Sequence, residues 1–464
     1  MNWTVAKLIE ATGGELLQGN VEVELSGIST DTRSLKAGDC FVALAGENHD
    51  GHDFIPDALG KKASAVLLTT YGMTVGFPRE VAVVKVADTL FALGELARYH
   101  RKRYSIPVVG ITGSNGKTST KEMIAAILGV DRSVHKNAGN LNNLIGVPLT
   151  LLSLRPDHET AVIEMGINVF GEMQRLLEIT QPTVGLITNI HPAHLEGLES
   201  PERILEEKGS LLTSLSADGL AVINLDDERL RSLSKTLKAR VLTYSSRDAG
   251  ADVHLRGSVA IDQGVSTFSI ALGPEAFPVH LSVLGLHQVQ NALAAASVGY
   301  AMGAPPESII AGLERHRPVP QRMEVCRLKE GTILVNDTYN ANPVSMLAAV
   351  RATLEASNGK PVIAILGEMR EMGPEGARLH REVGREIGAM GPAQLITLGD
   401  LAAEIGKGAL EAGMSQGTCF HASSHRQIVT LLRSLGVRDS WILVKGSRGM
   451  RMERVVQGLV NAES

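Results

Sequence analysis

Residues 109–119, VGITGSNGKTS, form a glycine-rich turn between a predicted strand and a predicted helix. The apolar run at 107–111 predicts a strand before the glycine-rich turn, and a helix is expected to begin just after Gly116. Such a turn presents backbone N–H groups to phosphate oxygens, while Lys117 can reach the terminal phosphates and Thr118 can ligate Mg²⁺. The usual pattern has another glycine where this chain has Ile111, so the alternative is a turn that only caps a helix. We predict a nucleotide-binding loop made of Gly113, Ser114, Asn115, Gly116, Lys117, Thr118 and Ser119.

The composition is that of a globular protein. The residues are 44% apolar and 20% charged. The length of 464 residues suggests about three domains. Forty-five basic and fifty acidic residues give a formal charge of −5, so the chain has no broad cationic field for nucleic acid or an anionic membrane. Neither is expected as a partner, and anionic ligands must be bound locally.

The cysteines and the N-terminal sequence indicate a cytoplasmic protein. Cys40, Cys326 and Cys419 are far apart and show no metal-binding spacing, which favours a reducing compartment. The N-terminus lacks the order of a signal peptide, and no uncharged apolar run of about 18 residues occurs. We expect no membrane insertion.

The order of predicted elements indicates an α/β protein with three domains. Short strands at 40–44, 65–68 and 81–86 predict a small α/β domain, residues 1–86. Strands at 107–111, 160–163, 184–188 and 219–223 alternate with helices, which predicts a parallel sheet with helices on both faces in a P-loop-type domain, residues 87–316. Within it, the alternating pattern at 251–284 predicts an antiparallel elaboration, and a helix follows at 289–302. A Pro-rich linker at 315–320 precedes a smaller Rossmann-like domain, residues 317–464, with strands at 332–335, 361–366, 394–398 and 441–444.

Polar residues follow several of the predicted strands, and ligands collect at the carboxyl ends of parallel strands. Glu164 is a candidate cation ligand or a solvated acid, and His194 a candidate metal ligand or an ordinary loop histidine. The pair Asp226 and Asp227 is equally well explained by an Asx turn. Lys208 has a strong alternative as an exposed helix lysine.

These motifs resemble those of the Mur ligases over essentially the whole chain. GSNGKTST is similar to the family's ATP loop, NNLIGVPLTLL to its substrate-binding segment, and EMG, TNI, AHLE and NLDD to its central motifs. The C-terminal stretches DTYNANP, LGEMREMG and VKGSRGMRMERVV resemble the D-alanyl-D-alanine-adding branch. The chain departs from the family pattern at Ser210, where glutamate is expected, and at Gln288, where asparagine is expected.

The resemblance implies an ATP- and Mg²⁺-dependent amide ligase of peptidoglycan precursor synthesis, acting as a monomer. The expected reaction joins UDP-N-acetylmuramoyl-tripeptide and D-alanyl-D-alanine through an acyl-phosphate. By the same resemblance Thr118, Glu164 and His194 hold the metal, and Lys208 carries a carbamate. Asn291 contacts adenine, Arg322 the γ-phosphate and Asp337 the ribose. The nominated substrate contacts are Ser29, Thr30, Arg33, Asn140, Asn142, Asn143, Tyr339, Asn340 and Asn342.

Other classes of protein share the phosphate loop. The preceding, diamino-acid-adding ligase of the pathway is expected to carry Asn-Pro-Arg, whereas Asn342-Pro343 is followed here by Val344. A folylpolyglutamate synthase is expected to lack the YNANP stretch. A P-loop kinase or GTPase would not need the third domain, and a non-catalytic nucleotide-binding protein would not need the full set of catalytic candidates.

Overall fold

The computed structural model describes residues 3–46, 49–69, 76–191, 200–262 and 264–461. Its strands are β1 Trp3–Thr4, β2 Glu15–Gln18, β3 Glu24–Leu25, β4 Ile28–Ser29, β5 Cys40–Val42, β6 Ala65–Leu68, β7 Ala82–Lys85, β8 Val108–Thr112, β9 Val134–Lys136, β10 Thr160–Glu164, β11 Val184–Ile187, β12 Leu220–Asn224, β13 Arg240–Ser245, β14 Val253–Asp262, β15 Val265–Leu272, β16 Glu275–Leu281, β17 Glu324–Arg327, β18 Ile333–Asp337, β19 Val362–Gly367, β20 Gln394–Leu398, β21 Cys419–Ala422 and β22 Trp441–Lys445. Its α-helices are α1 Val5–Thr12, α2 Ile55–Gly60, α3 Thr89–Arg101, α4 Lys117–Leu128, α5 Gly146–Leu152, α6 Glu172–Thr180, α7 Pro201–Thr213, α8 Glu228–Ser234, α9 Leu286–Ala301, α10 Pro306–Arg315, α11 Pro343–Ala356, α12 Gly376–Met390, α13 Ala402–Glu411, α14 His425–Ser434 and α15 Glu453–Asn461.

The chain divides into two compact units, and the first comprises Met1–Gly110, Ser133–Ile167 and Gly171–Thr183. It contains a five-stranded sheet in the order β2-β7-β6-β5-β4, in which β2 is antiparallel to β7 and the other pairs are parallel. Leu93 and Leu96 of α3 join Leu67 of β6 in one buried apolar cluster. In the same unit β10 pairs in parallel with β9, and β10 ends at Glu164, which therefore stands at the carboxyl end of a strand.

The second unit comprises Ile111–Arg132, Asn168–Phe170 and Val184–Ser464. Strands β11 to β16 lie side by side in chain order. The pairs from β11 to β14 are parallel, and β14, β15 and β16 form an antiparallel meander. β12 is buried along its whole length, as expected of a parallel strand that is covered on both faces.

A six-stranded sheet in the order β17-β18-β22-β19-β20-β21 belongs to the same unit. Its pairs are parallel except for β17, which runs antiparallel along the edge beside β18. Trp441 and Leu443 of β22 belong to one apolar core, while Ile442 and Val444 belong to another. Because successive side chains of a strand point to opposite faces, the sheet is packed on both sides.

These observations confirm the α/β fold class and the parallel sheets. The antiparallel elaboration at 251–284 is also confirmed, although β14 additionally pairs in parallel with β13. The strands that were not predicted from the sequence are β1 to β4, β9, β13, β17 and β21. The boundaries at 86 and 316 stay predictions. No helix within the described ranges is both long enough and apolar enough to cross a membrane.

Candidate active site

The loop between β8 and α4 depends on two glycines with positive φ. Gly113 has φ +145°, and a Cβ there would lie 2.0 Å from Thr188 Oγ1. Gly116 has φ +82° at the N-cap of α4, and a Cβ there would lie 2.2 Å from Asn291 Oδ1. Both the backbone conformation and the space therefore require glycine. The N-terminus of α4 provides the N–H groups expected of an anion site.

The segment that follows β11 holds this loop in place. Ser114 Oγ donates to the His191 carbonyl (2.7 Å) and accepts from the His191 N–H (2.9 Å). The Asn115 N–H donates to Asn189 Oδ1 (2.9 Å), and Thr188 Oγ1 donates to the Asn115 carbonyl (2.6 Å). Thr188, Asn189 and His191 thus fix the backbone of the loop. The sequence did not reveal that these residues hold the loop. The predicted metal ligand His194 lies outside the described residues.

Lys117 provides positive charge at the loop, and Lys208 lies near enough for that charge to affect its pKa. Lys117 Nζ donates to the carbonyls of Gly113 (2.7 Å) and Ser114 (3.4 Å). Lys208, on α7, is only 1% exposed, which rejects its reading as an exposed helix lysine. Burial, followed by repulsion from Lys117, lowers the pKa of Lys208 to about 7. A substantial fraction of its amine is therefore neutral at neutral pH.

Arg322 reaches the same loop from the segment before β17. Its Nη2 donates to Thr118 Oγ1 (3.0 Å), and its guanidinium lies 4.0 Å from the centroid of the Tyr339 ring. The two neighbouring residues, Gln321 and Met323, both have positive φ, at 62° and 52°. Such strained backbone often occurs at functional sites. The structure thus brings together Lys117, Thr118 and Arg322, while Ser119 is buried in the first turn of α4.

The predicted ribose contact Asp337 ends β18 and pairs with a buried lysine. Lys445 Nζ lies 2.5 Å from Asp337 Oδ2 and donates to the carbonyl of Asn340 at 2.9 Å. Ser447 Oγ donates to the carbonyl of Ala341 (3.3 Å). The end of β22 therefore supports the YNANP stretch. Lys445 and Ser447 were not nominated as site residues, although they lie in the VKGSRG stretch.

The predicted adenine contact Asn291 is buried on α9 beside Gly116. Its Nδ2 donates to Gln288 Oε1 (3.1 Å), so the unusual glutamine at 288 is a hydrogen-bond partner of this asparagine. Burial lowers the pKa of the neighbouring His287 to about 4, which makes the imidazole neutral at pH 7.

Two asparagines of the first unit form hydrogen bonds with Glu164. It is 1% exposed, and Asn142 Nδ2 donates to its Oε1 at 2.7 Å. Asn137, which was not predicted, accepts from the Glu164 N–H at 2.7 Å. Asn143 Oδ1 accepts from the Gly146 N–H at the start of α5 (2.9 Å), whereas Asn140 is exposed. Of these three nominated asparagines, Asn142 therefore contacts Glu164, while Asn143 forms a hydrogen bond at the start of α5.

The nominated uridine-binding stretch begins at the end of β4. Ser29 Oγ accepts from the Asp31 N–H (3.3 Å), and Thr30 is half-buried. Arg33 is exposed and forms a bidentate pair with Asp31, with Nη2 at 2.7 Å from Oδ2. Hydrogen bonds from Arg33 lower the pKa of Asp31 to about 2. An anionic ligand can compete for this arginine, because exposed pairs of this kind contribute little to stability.

The acidic pair after β12 has structural roles. Asp227 caps α8 by accepting from the N–H groups of Arg229 and Leu230, and its Oδ2 accepts from the Ile190 N–H (2.7 Å). Asp226 accepts from the Ser246 N–H and hydroxyl (2.8 and 2.6 Å). Among the residues that the structure describes, no three His, Cys, Asp or Glu side chains form a group that could hold a metal ion.

The phosphate loop is held by Asn189 and Asn342 and is contacted by Arg322, which precedes the six-stranded sheet. Such a site is typical of an α/β enzyme that uses a nucleotide. Three family models match the chain: "Mur ligase family, catalytic domain" at 24–101, "Mur ligase middle domain" at 111–299, and "Mur ligase, glutamate ligase domain" at 321–448. The chain belongs to the Mur ligase family, and it is a ligase.

Two curated relatives match over nearly their whole length. The UDP-N-acetylmuramoyl-tripeptide–D-alanyl-D-alanine ligase of Escherichia coli (strain K12) is 35% identical over 98% of both chains. The enzyme of the same name from Bacillus subtilis (strain 168) is 34% identical over 99% of this chain and 98% of that one.

Solved structures of the same kind are similar. MurF from Acinetobacter baumannii has a TM-score of 0.89 and 29% identity over 99% of both chains. The MurF ligase of Thermotoga maritima in complex with ADP has a TM-score of 0.83 and 28% identity, covering 94% of this chain and 97% of that chain. A UDP-N-acetylmuramoyl-L-alanyl-D-glutamate–2,6-diaminopimelate ligase, at 18% identity and a TM-score of 0.58, shares the fold.

Proposed function

We propose that this chain joins D-alanyl-D-alanine to UDP-N-acetylmuramoyl-tripeptide at the expense of ATP. The observation that carries the proposal is the contact of the 321–343 segment with the phosphate loop, where Arg322 binds Thr118 and Asn342 binds Asn115. This segment contains the YNANP stretch, so the part of the chain that resembles the D-alanyl-D-alanine-adding branch lies against the ATP loop. The similarity to the two curated ligases over almost the whole chain supports the same substrates.

The chemistry explains why cations converge on this loop. A carboxylate is a poor electrophile, and the resemblance to the family implies that ATP phosphorylates it to an acyl-phosphate. The approach of an anionic carboxylate to the γ-phosphate is repulsive, and positive groups reduce that repulsion. Lys117, which binds carbonyls of its own loop, can transfer those hydrogen bonds to phosphate oxygens, and Arg322 contributes a second cation.

Two of the three residues nominated for Mg²⁺ carry the oxygen ligands that this ion prefers, and the third, His194, would contribute a nitrogen. Thr118 contributes a buried hydroxyl at the start of α4, and Glu164 a buried carboxylate at the end of β10. Magnesium prefers such oxygen ligands. His194 belongs to the same proposed set. A bound Mg²⁺ would neutralise charge on the phosphates.

Burial also makes Lys208 a suitable site for a carbamate. Its neutral amine can add to CO₂, forming an N–C bond and releasing a proton, and the product is an anionic side chain that can bind a cation. The resemblance implies this modification, and the lowered pKa of Lys208 supplies the neutral amine that it requires.

The second half of the reaction requires the neutral amine of D-alanyl-D-alanine. Its α-amino group has a pKa of about 8, so a useful fraction is neutral at pH 7 without a dedicated base. The amine attacks the acyl carbon and inorganic phosphate leaves. We place the reaction, with a monomeric enzyme, in the cytoplasm, where ATP and the UDP-linked precursor are available.

The proposal is tested by phosphate release from Mg²⁺-ATP. We expect sustained release with UDP-muramoyl-tripeptide and D-alanyl-D-alanine together, and none with either alone. Lys117→Ala should lower the rate by about a hundredfold or more, since it removes one preorganised charge from the transition state. Turnover only with UDP-muramoyl-dipeptide and a diamino acid, or only with a folate and glutamate, would contradict the proposal.

A further inference from the structure

Asn342 has a side chain whose orientation is fixed by the backbone around it. It is 7% exposed and caps α11, with its Oδ1 accepting from the Ser345 N–H (2.9 Å). Ser345 Oγ accepts in return from the Asn342 N–H (3.0 Å), which completes a capping box. Because a backbone N–H can only donate, the oxygen of the carboxamide must face Ser345. The nitrogen must then face away from the helix.

That nitrogen contacts the phosphate loop. Asn342 Nδ2 donates to Asn115 Oδ1 at 2.7 Å, so Asn115 must present its oxygen to Asn342. The backbone of Asn115 is already held by Asn189 and Thr188. Only its side-chain torsions remain to be set, and Asn342 sets them.

Because the oxygen of the Asn115 side chain faces Asn342, its amide nitrogen is left as a donor without an acceptor among the described residues. Asn115 Nδ2 is buried and has no hydrogen-bond partner within the ranges that the structure describes. A buried amide N–H of this kind is costly to leave unsatisfied. Asn115 lies between Ser114 and Gly116, where the loop is built for an anion, and a phosphate oxygen supplies the acceptor that the N–H group lacks.

We propose that Asn342 is a positioning residue, which orients the Asn115 carboxamide so that its N–H group donates to a phosphate oxygen of bound ATP. This inference rests on the proposed function and deepens it. It gives Asn342, which was nominated from the sequence as a substrate contact, a role at the nucleotide instead. The start of α11 thereby helps to complete the ATP site.

The test is Asn342→Asp, which keeps the cap because a carboxylate also accepts from the Ser345 N–H. It cannot donate to Asn115, so the Asn115 amide is expected to turn its nitrogen toward the new carboxylate and its oxygen toward the phosphates. We expect the affinity for Mg²⁺-ADP and Mg²⁺-AMP-PNP, measured by calorimetry, to fall about tenfold or more, with KM for D-alanyl-D-alanine and the melting temperature unchanged.

Two further variants separate this role from a structural one. In an Asn115→Ala background, Asn342→Asp retains only the direct repulsion between its carboxylate and the phosphates, so its loss of affinity should be clearly smaller than in the wild-type background. Ser345→Ala should lower the melting temperature by weakening the capping box and leave nucleotide affinity unchanged.

Three outcomes would overturn the inference: unchanged nucleotide affinity in Asn342→Asp, an equal loss in the Asn115→Ala background, or a rise only in KM for D-alanyl-D-alanine. Calorimetry needs no muropeptide, so a wild-type chain that binds nucleotide without ligating would count against the proposed function alone.

Discussion

Lys208 shows how much a single residue depends on its surroundings. In water a lysine is almost wholly protonated at pH 7 and does not react with CO₂, since its pKa is about 10.4. Buried on α7, with its pKa near 7, it can do so. Its sequence context, EEKGS, shows neither the burial nor the nearby Lys117.

The carbamate can be tested by removing CO₂. We expect turnover to fall in CO₂-free buffer and to return with bicarbonate, and ¹³C NMR with labelled bicarbonate should show a protein-bound carbamate. Lowering the pH below about 7 protonates the amine, so the carbamate signal and the turnover should fall together. Lys208→Arg retains a cation that cannot be carbamylated. It should be slow at all bicarbonate concentrations, and a bicarbonate response in this variant would contradict the assignment.

The start of α4 serves both the helix and the ligand, because Gly116 caps the helix and lies in the phosphate loop. Gly116→Ala would place a Cβ against Asn291 in a left-handed backbone conformation that costs roughly 1–2 kcal/mol for an L-residue. We expect a loss of affinity for Mg²⁺-ADP of more than tenfold, measured by calorimetry, together with a lower melting temperature.

A matched glycine separates strain from site geometry. Gly303 follows α9 with φ +76°, and a Cβ placed there would have none of the described neighbouring atoms within 4 Å. Gly303→Ala should therefore lower the melting temperature through strain alone and keep nucleotide affinity. Equal loss of affinity in both variants would show that general destabilisation explains the effect of Gly116→Ala.

The sequence predicted the elements whose signal is local. β12 and β19 are continuous apolar runs because both faces are covered, and both were found. β13, RVLTYS, is exposed at its first two residues and has no such run, while β9 has only three residues. Their pairing is set by neighbouring strands, which a local pattern does not contain.

In the candidate site, too, the residues with a local sequence signal were predicted and those that act through distant partners were not. The phosphate loop was predicted because its spacing carries the chemistry. Asn189, Lys445 and Asn137 act through partners far away in the sequence, so their residue types alone gave no signal. Asn342 was nominated from its motif, but its contact with Asn115, 227 residues away, could be found only in the structure.

The chain is expected to bind two different nucleotides, ATP at the loop before α4 and the UDP-linked substrate at the stretch that follows β4. A ligand that binds only the folded state stabilises it by about 2.7 kcal/mol at a hundred times its Kd. Each ligand should therefore raise the unfolding midpoint independently. The residues nominated for the two ligands, Lys117 and Arg33, allow the two effects to be separated.

Thermal unfolding of two variants tests this separation. Lys117→Ala should lose most of the shift caused by Mg²⁺-ADP and keep the shift caused by UDP-muramoyl-tripeptide. Arg33→Ala should show the reverse, because an arginine that contacts an anionic ligand contributes a charge-assisted hydrogen bond. Arg33 is 90% exposed at its side chain, so its removal should leave the unliganded midpoint unchanged. If either variant lost both shifts, the two nucleotides would not bind independently. If Arg33→Ala kept the shift caused by UDP-muramoyl-tripeptide, the nomination of Arg33 for the UDP end would be wrong.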